Sequence, residues 1–129
     1  MNGRKKILVV EDNAMNRTLL TEILSAQYQV LEAENGRVAL ELLKQYGEQV
    51  SLILLDIVMP VMDGYAFLAA IKAEPALASI PVIVTTQREG ESDEVAALSH
   101  GATDFVAKPY RPQIILHRGA GIISLRETT

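Results

Sequence analysis

The chain has 129 residues, of which 49% are hydrophobic and 22% are charged, a composition typical of one globular domain. Its net charge of −4 offers no electrostatic support for binding a nucleic-acid duplex or an anionic membrane surface. Cysteine is absent, which excludes disulfides, thiolate metal sites and thiol nucleophiles. Neither a signal peptide nor an apolar run of membrane-spanning length is recognisable, so a soluble cytoplasmic protein is expected.

Short apolar runs alternate with amphipathic segments along the chain, a pattern that predicts a parallel sheet flanked by helices. The predicted strands are residues 7–10, 28–33, 52–55, 82–84 and 105–107. The first predicted helix carries Met15, Leu19 and Ile23 on one face, with Leu20 and Leu24 beside them. The starts of the later predicted helices are marked by an Asn35 N-cap, Asp63-Gly64, Ser92 and Pro112.

The predicted strands differ in polarity, which indicates where each lies in the sheet. The first, third and fourth are apolar throughout, as expected of strands covered on both faces. The second and fifth runs mix in Gln29, Glu32 and Asp104, which suits edge strands. The fold class is therefore predicted as α/β, a flavodoxin-like (βα)5 doubly wound parallel sheet with strand order 2-1-3-4-5.

The last segment, residues 114–129, is apolar enough for a packed helix. Gly119 and Gly121 would each cost about 1 kcal/mol relative to Ala inside such a helix. We expect a single domain over residues 1–129, with its core at about 5–126. Residues 119–129 could also begin a linker, so the chain is expected to be a stand-alone domain or part of a longer protein.

Polar side chains lie at the ends of four of the predicted strands. Glu11-Asp12 follow the first strand, Asp56 the third, Thr85 ends the fourth and Lys108 follows the fifth. Because ligands bind outside the carboxyl ends of parallel strands, where strand order reverses, the three acids are expected to share one crevice. Any one of these residues alone would more simply be a turn, a cap or a surface charge.

Carboxylates gathered in this way repel one another. At ~4 Å, two unit charges cost on the order of 4 kcal/mol at an effective dielectric constant of 20, so either some are protonated or a cation is present. Mg²⁺ is the natural candidate, because it binds one or two carboxylates and keeps positions for phosphate oxygens. With the Lys108 ammonium and the Thr85 hydroxyl, these groups are the parts that stabilise a transferring phosphoryl group.

The set Glu11-Asp12, Asp56, Thr85 and Lys108-Pro109 resembles the receiver domains of response regulators, the CheY-like family. The resemblance covers about residues 5–126. It extends to the local amino-acid sequences at residues 9–13 and 59–64 and to Gly101-Ala102. It implies a two-component system in which Asp56 accepts a phosphoryl group from a sensor histidine kinase or a phosphotransfer protein.

The same resemblance implies a role for each remaining site residue. Asp12, Asp56 and the backbone carbonyl of Val58 would bind Mg²⁺, for which Mn²⁺ could substitute, and Glu11 would act through water. Lys108 would pair with a phosphoryl oxygen. Thr85 would be a switch hydroxyl, and the resemblance places an aromatic switch at the position of Phe105, which has no hydroxyl and must act by packing.

Signalling would change the surface formed by the fourth helix, fifth strand and fifth helix, through which dimerisation is conceivable. Residues 117–127 resemble connections to a downstream diguanylate cyclase or sensory domain, so an output domain of that kind would follow if the chain is part of a longer protein. The domain would assist its own phosphorylation and dephosphorylation, and no independent turnover substrate is expected of it.

Three rival functions remain open on the sequence alone. A flavin-binding module would need a Ser/Thr/Gly-rich phosphate loop where residues 11–13 read Glu-Asp-Asn. A haloacid-dehalogenase-type phosphatase would need an Asp-x-Asp pair at the same place, which residues 11–14 do not supply. An interaction scaffold that is never phosphorylated would have no use for the complete acidic set.

Overall fold

The computed structural model describes residues 4–56, 64–86, 98–99, 101–107 and 111–127, and every structural statement below concerns this part of the chain. Its strands are β1 Lys6–Val10, β2 Gln29–Ala33, β3 Val50–Asp56, β4 Val82–Thr86 and β5 Asp104–Ala107. Its helices are α1 Ala14–Leu24, α2 Gly36–Tyr46, a short 3-10 helix Gly47–Gln49, α3 Gly64–Ala73 and the C-terminal helix Pro112–Glu127.

The strands form one parallel sheet in the order β2-β1-β3-β4-β5, which confirms the predicted order and fold class. Parallel neighbours require a crossover between them, and helices provide these connections where the structure describes them. The strands that carry polar residues, β2 and β5, lie at the two edges as predicted. The carboxyl ends of all strands therefore lie along one edge of the sheet.

A hydrophobic layer covers each face of the sheet. One layer contains α2 and α3, and the other contains α1 and the C-terminal helix. Because successive side chains of a strand point to opposite faces, β3 contributes Ile53 and Leu55 to the first layer and Leu52 and Leu54 to the second. This two-sided burial explains why the interior strands are apolar at consecutive positions.

Side-chain caps start the first two helices. The Asn13 side chain accepts a hydrogen bond from the backbone N–H of Asn16 at 2.9 Å. The Asn35 side chain accepts one from Val38 at the same distance, so the predicted N-cap is confirmed. The predicted starts at Asp63 and Ser92 lie outside the described residues. These caps fix where the chain turns from strand into helix at the sheet edge that carries the polar residues.

Helix α1 meets the sheet through a different face from the one that its apolar spacing indicated. Leu20 and Leu24 are buried, whereas Met15 is 83% exposed and Leu19 is 42% exposed. Ile23 is partly buried against the same layer. The helix is amphipathic as predicted, but its apolar surface is wider than the strip that packing covers.

The C-terminal helix begins at Pro112, as predicted, and continues through both glycines that disfavour it. A Cβ atom at Gly119 would lie 3.4 Å from Leu52 Cδ2, an ordinary van der Waals distance, so packing against β3 does not require glycine there. Nothing in the structure explains Gly121. Ile123, beyond both, is buried in the core. Among the described residues, no helix combines the length and apolar character that crossing a membrane requires.

We expect Phe67→Ala to lower the free energy of unfolding by about 3–5 kcal/mol, because the ring is fully buried between α3 and the sheet. Met15→Ala is the matched control and should change it by less than about 0.5 kcal/mol, since that side chain is largely exposed. Urea unfolding measures both. Equal stability of the two variants would contradict the packing described here.

Candidate functional site

The sheet register gathers the acidic residues at one edge. In the pairing of β1 with β3, Val10 lies opposite Leu55, so Glu11 and Asp56 follow at the same level. The ligand oxygens of Glu11, Asp12 and Asp56 all lie within 4.8 Å of one another. The crevice predicted from strand order is therefore present, at the point where the order reverses.

Burial differs within this acidic cluster. Glu11 is 1% exposed and Asp56 is 4% exposed, whereas Asp12 is exposed. A carboxylate in a buried position loses hydration, and a neighbouring carboxylate of like charge raises the cost further. The cluster thus has a buried floor and one carboxylate at a mouth that solvent can reach.

The donor set fits a hard divalent cation. All three groups are carboxylates, which Mg²⁺ and Mn²⁺ prefer over nitrogen or sulfur ligands. Oxygens bound to one Mg²⁺ at about 2.1 Å in octahedral geometry lie about 3–4.2 Å apart. A cluster whose oxygens already lie within 4.8 Å needs only small side-chain movements, or one bridging water, to bind such an ion.

The loop between β1 and α1 orients Glu11. The backbone N–H of Asn13 donates to Glu11 Oε2 at 3.2 Å, and the Asn13 carbonyl accepts from the Arg17 N–H at 2.9 Å. The Glu11 N–H donates to the Ala33 carbonyl of β2 at 3.0 Å. Both the backbone and the side chain of this acid are therefore tied to neighbouring elements.

Sequence reasoning missed Arg17 of α1. Its Nη1 donates to the Glu11 carbonyl at 2.8 Å, and its Nε lies 3.6 Å from Glu32 Oε1 on β2. A signal was available, because a cation close to a helix N-terminus is unfavourable unless a local partner offsets it. The identity of that partner depends on where β2 lies, which no local pattern reveals.

Thr85 stands beside the acidic cluster. It lies opposite Asp56 in the pairing of β3 with β4 and is 1% exposed. Its hydroxyl donates to the Leu55 carbonyl at 3.4 Å, a long hydrogen bond. The hydroxyl is therefore buried within the strand layer next to the predicted phosphoacceptor.

The remaining predicted site residues lie on or beyond β5, or in the segment after β3. Phe105 pairs with Val84 and is partly buried against the layer that contains α2 and α3. Val58 and Lys108 lie outside the described residues. Lys108 follows Ala107, which ends β5.

An arginine of the C-terminal helix contacts the edge strand at Phe105. Arg118 Nη1 donates to the Phe105 carbonyl at 2.6 Å and lies 3.6 Å from Asp104 Oδ1. The same Asp104 oxygen accepts from the Phe105 N–H at 2.8 Å. The backbone of the predicted aromatic switch is therefore joined directly to the C-terminal helix.

Comparison with known proteins gives a consistent result. The sequence matches the family model for the response regulator receiver domain over residues 7–119. A Vibrio cholerae protein named as a probable cyclic di-GMP phosphodiesterase is 42% identical over 103 residues, which cover 80% of this chain and 23% of that protein. The chain spans less than half the length of the curated relatives it matches.

Two similar solved structures contain a metal ion. The receiver domain of a sensor histidine kinase from Pseudomonas aeruginosa, with magnesium coordinated in its active site cleft, is 28% identical with a TM-score of 0.86, covering 95% of this chain and 99% of that one. The Mn²⁺-bound form of the response regulator Rcp1 is 32% identical with a TM-score of 0.73, covering 93% and 92%.

In a chelator, we expect Asp12→Asn to raise the free energy of unfolding by on the order of 1 kcal/mol, because it removes one of three mutually repelling charges. Asp104→Asn is the control and should lower the free energy of unfolding, because that carboxylate lies beside Arg118. Urea unfolding at low and high salt measures both effects, which salt should reduce. Destabilisation by Asp12→Asn in chelator would contradict the repulsion.

Proposed function

Because this chain belongs to the response regulator receiver domain family of two-component systems, we propose that Asp56 is its phosphoacceptor and that a phosphohistidine is the donor. The observation that carries the proposal is the position of the buried Asp56 carboxylate at the carboxyl end of β3, within 4.8 Å of the Glu11 and Asp12 ligand oxygens. A sensor histidine kinase or a phosphotransfer protein would present that phosphohistidine.

Asp56 is a better nucleophile candidate than its two acidic neighbours. Glu11 Oε2 already accepts a backbone hydrogen bond from Asn13, which holds that side chain in the loop. Asp12 is exposed at the mouth of the site, where water competes for it. Asp56 lies opposite Thr85, so a hydroxyl donor stands next to the position where a phosphoryl group would be attached.

The acidic cluster would also hold the metal ion. We assign Asp12 and Asp56 as direct ligands, the backbone carbonyl of Val58 as a third and Glu11 as a ligand through water. Bound Mg²⁺, or Mn²⁺ in its place, would offset charge on the phosphoryl oxygens. The donor chemistry of the cluster and the metal-bound relatives support this assignment.

In the transfer step, a carboxylate oxygen of Asp56 forms a bond to phosphorus as the bond from phosphorus to the donor imidazole nitrogen breaks. The other ring nitrogen of the phosphohistidine carries a proton, so the imidazole keeps the electron pair of the broken bond and leaves as a neutral histidine of the donor. Lys108 pairs with a phosphoryl oxygen and stabilises the charge that transfers. Hydrolysis of the resulting acyl phosphate would restore Asp56, so the domain acts on itself and needs no separate turnover substrate.

The phosphoryl group would then compete for the Thr85 hydroxyl. That hydroxyl now donates a long bond to a neutral carbonyl, and an anionic phosphoryl oxygen is the stronger acceptor. Reorientation of Thr85 would shift the end of β4. Thr85 pairs with Val106 of β5, which is the chain neighbour of Phe105. Repacking of Phe105 would change the surface formed by β5, by the C-terminal helix and by the helix predicted to start at Ser92, most of which lies outside the described residues.

Partners at that surface follow from the same proposal. A second copy of the domain could bind there, or an output domain joined through residues 119–129. The chain matches only part of longer proteins, one named as a probable cyclic di-GMP phosphodiesterase and one as a probable response regulator/GGDEF domain protein, which supports an output domain for cyclic di-GMP chemistry. A cytoplasmic location fits a kinase donor that depends on ATP.

We expect acetyl phosphate with Mg²⁺ to add one phosphoryl group to the wild type and none to Asp56→Asn, because the amide is not a nucleophile. Intact-mass spectrometry measures the addition. Asp104→Asn carries the same chemical change on the edge strand and should be labelled like the wild type. Labelling of Asp56→Asn at the wild-type level would refute the assignment, and undiminished labelling in excess chelator would refute the metal role.

We expect Thr85→Ala to accept the phosphoryl group on Asp56 but to lose most of the response at β5, since no hydroxyl is left to reorient. Thr85→Ser keeps the hydroxyl and should keep the response. The amide chemical shifts of Phe105 and Val106, measured by NMR before and after phosphorylation, report it. A full response in Thr85→Ala would show that the signal reaches β5 by another route.

A further inference from the structure

Arg17 links the acidic cluster to β2, the outermost strand on one side of the sheet. One guanidinium nitrogen donates to the Glu11 carbonyl at 2.8 Å, and another lies 3.6 Å from Glu32. Glu32 is the neighbour of Ala33, whose carbonyl accepts from the Glu11 N–H at 3.0 Å. Arg17, Glu11 and the end of β2 thus form a closed ring of contacts around the first acid of the site.

The Arg17 side chain contacts a peptide unit that affects how the clustered carboxylates are oriented. The Glu11 carbonyl belongs to the peptide unit that joins Glu11 to Asp12, two of the three clustered acids. Holding that peptide restricts the backbone rotations that set the relative orientation of the two carboxylates. Asp12 is exposed, so its placement depends largely on this backbone.

Arginine suits this position better than lysine. Its planar guanidinium presents several N–H donors in a fixed fork, so it can contact a carbonyl and a carboxylate at once. The side chain is 20% exposed, which limits competition from water. A lysine could neutralise the same charge, but its single ammonium on a flexible stem would not fix the peptide in the same way.

We propose that Arg17 is a positioning residue for the metal site: it holds the peptide between Glu11 and Asp12 so that their carboxylates can bind a divalent cation together. The inference rests on the proposed function, because it assumes that the acidic cluster binds metal. It also opposes simple electrostatics. A cation beside the cluster repels a metal ion, so charge alone predicts that removing Arg17 tightens metal binding.

The test compares Mn²⁺ affinity in four folded proteins, with free Mn²⁺ measured by electron paramagnetic resonance. We expect Arg17→Met to weaken binding by about tenfold, the lower end of what outer-shell partners of a metal site contribute. Arg17→Lys should be weakened by a smaller factor. Arg4→Met is the matched control. Arg4 also donates to a backbone carbonyl, that of Ser25, but at the end of the sheet where the strands begin, away from the acidic cluster. Its loss should leave the Mn²⁺ affinity unchanged.

A second readout needs no metal. In chelator, the backbone amides of Asp12 and Asn13 should exchange hydrogen faster in Arg17→Met than in the wild type, while amides of β3 should not change. Glu32→Gln leaves Arg17 and every site carboxylate in place, and it covers the case in which Arg17→Met does not fold. The same two amides should exchange faster in that variant, because the guanidinium has lost its anchor on β2.

These measurements distinguish failure of the Arg17 inference from failure of the proposed metal role. Tighter or unchanged Mn²⁺ binding by Arg17→Met, with wild-type affinity in Arg17→Lys, overturns the inference and leaves the proposed function intact. Unchanged exchange of the Asp12 and Asn13 amides in Glu32→Gln also overturns it. Failure of the wild type itself to bind Mn²⁺ would overturn both the inference and the metal role in the proposed function.

Discussion

The parallel register between β1 and β3 forces like charges together, and the chemistry of the site follows from that repulsion. β1 ends at Val10 opposite Leu55, so the residues that follow at this level are both acids. They cannot separate without breaking strand pairing that two hydrophobic layers support from either face. The stability of the core therefore maintains a local arrangement that is unfavourable by itself, and the divalent cation proposed above would relieve it.

The loop beside the site shows how the chain keeps these acids in usable orientations. Glu11 is held by β2 through its N–H, by Asn13 through its carboxylate and by Arg17 through its carbonyl. Asn13 at the same time caps α1, so one residue both starts the helix and orients an acid. Asp12 is left at the solvent-accessible mouth. Such a site is ordered on its buried side and accessible to solvent at Asp12.

The opposite side of the site leads toward the edge of the sheet. Thr85 lies between Asp56 on β3 and Val106 on β5 in the two strand pairings. As an edge strand, β5 has one neighbouring strand, so its position depends on β4 and on the helix packed beside it. Arg118 provides a polar contact of that kind at Phe105. A change at the phosphoacceptor thus has a short physical route to the C-terminal helix.

The amino-acid sequence by itself determined the fold class, the strand order and the membership of the acidic cluster. Runs that are apolar at every position are typical of interior strands of a parallel sheet, and parallel strands present their carboxyl ends together. Asn35 as a cap and Pro112 as a helix start were equally readable, because both act through their own local backbone.

Tertiary structure alone decided which surface of each helix is used and which distant residues meet. The spacing of Met15 and Leu19 marks an apolar face, but packing against the sheet selects Leu20 and Leu24 instead. Arg17 reaches Glu32 only because β2 lies beside β1. Local patterns report a residue's preferences within a few positions, whereas partners far along the chain exist only after folding.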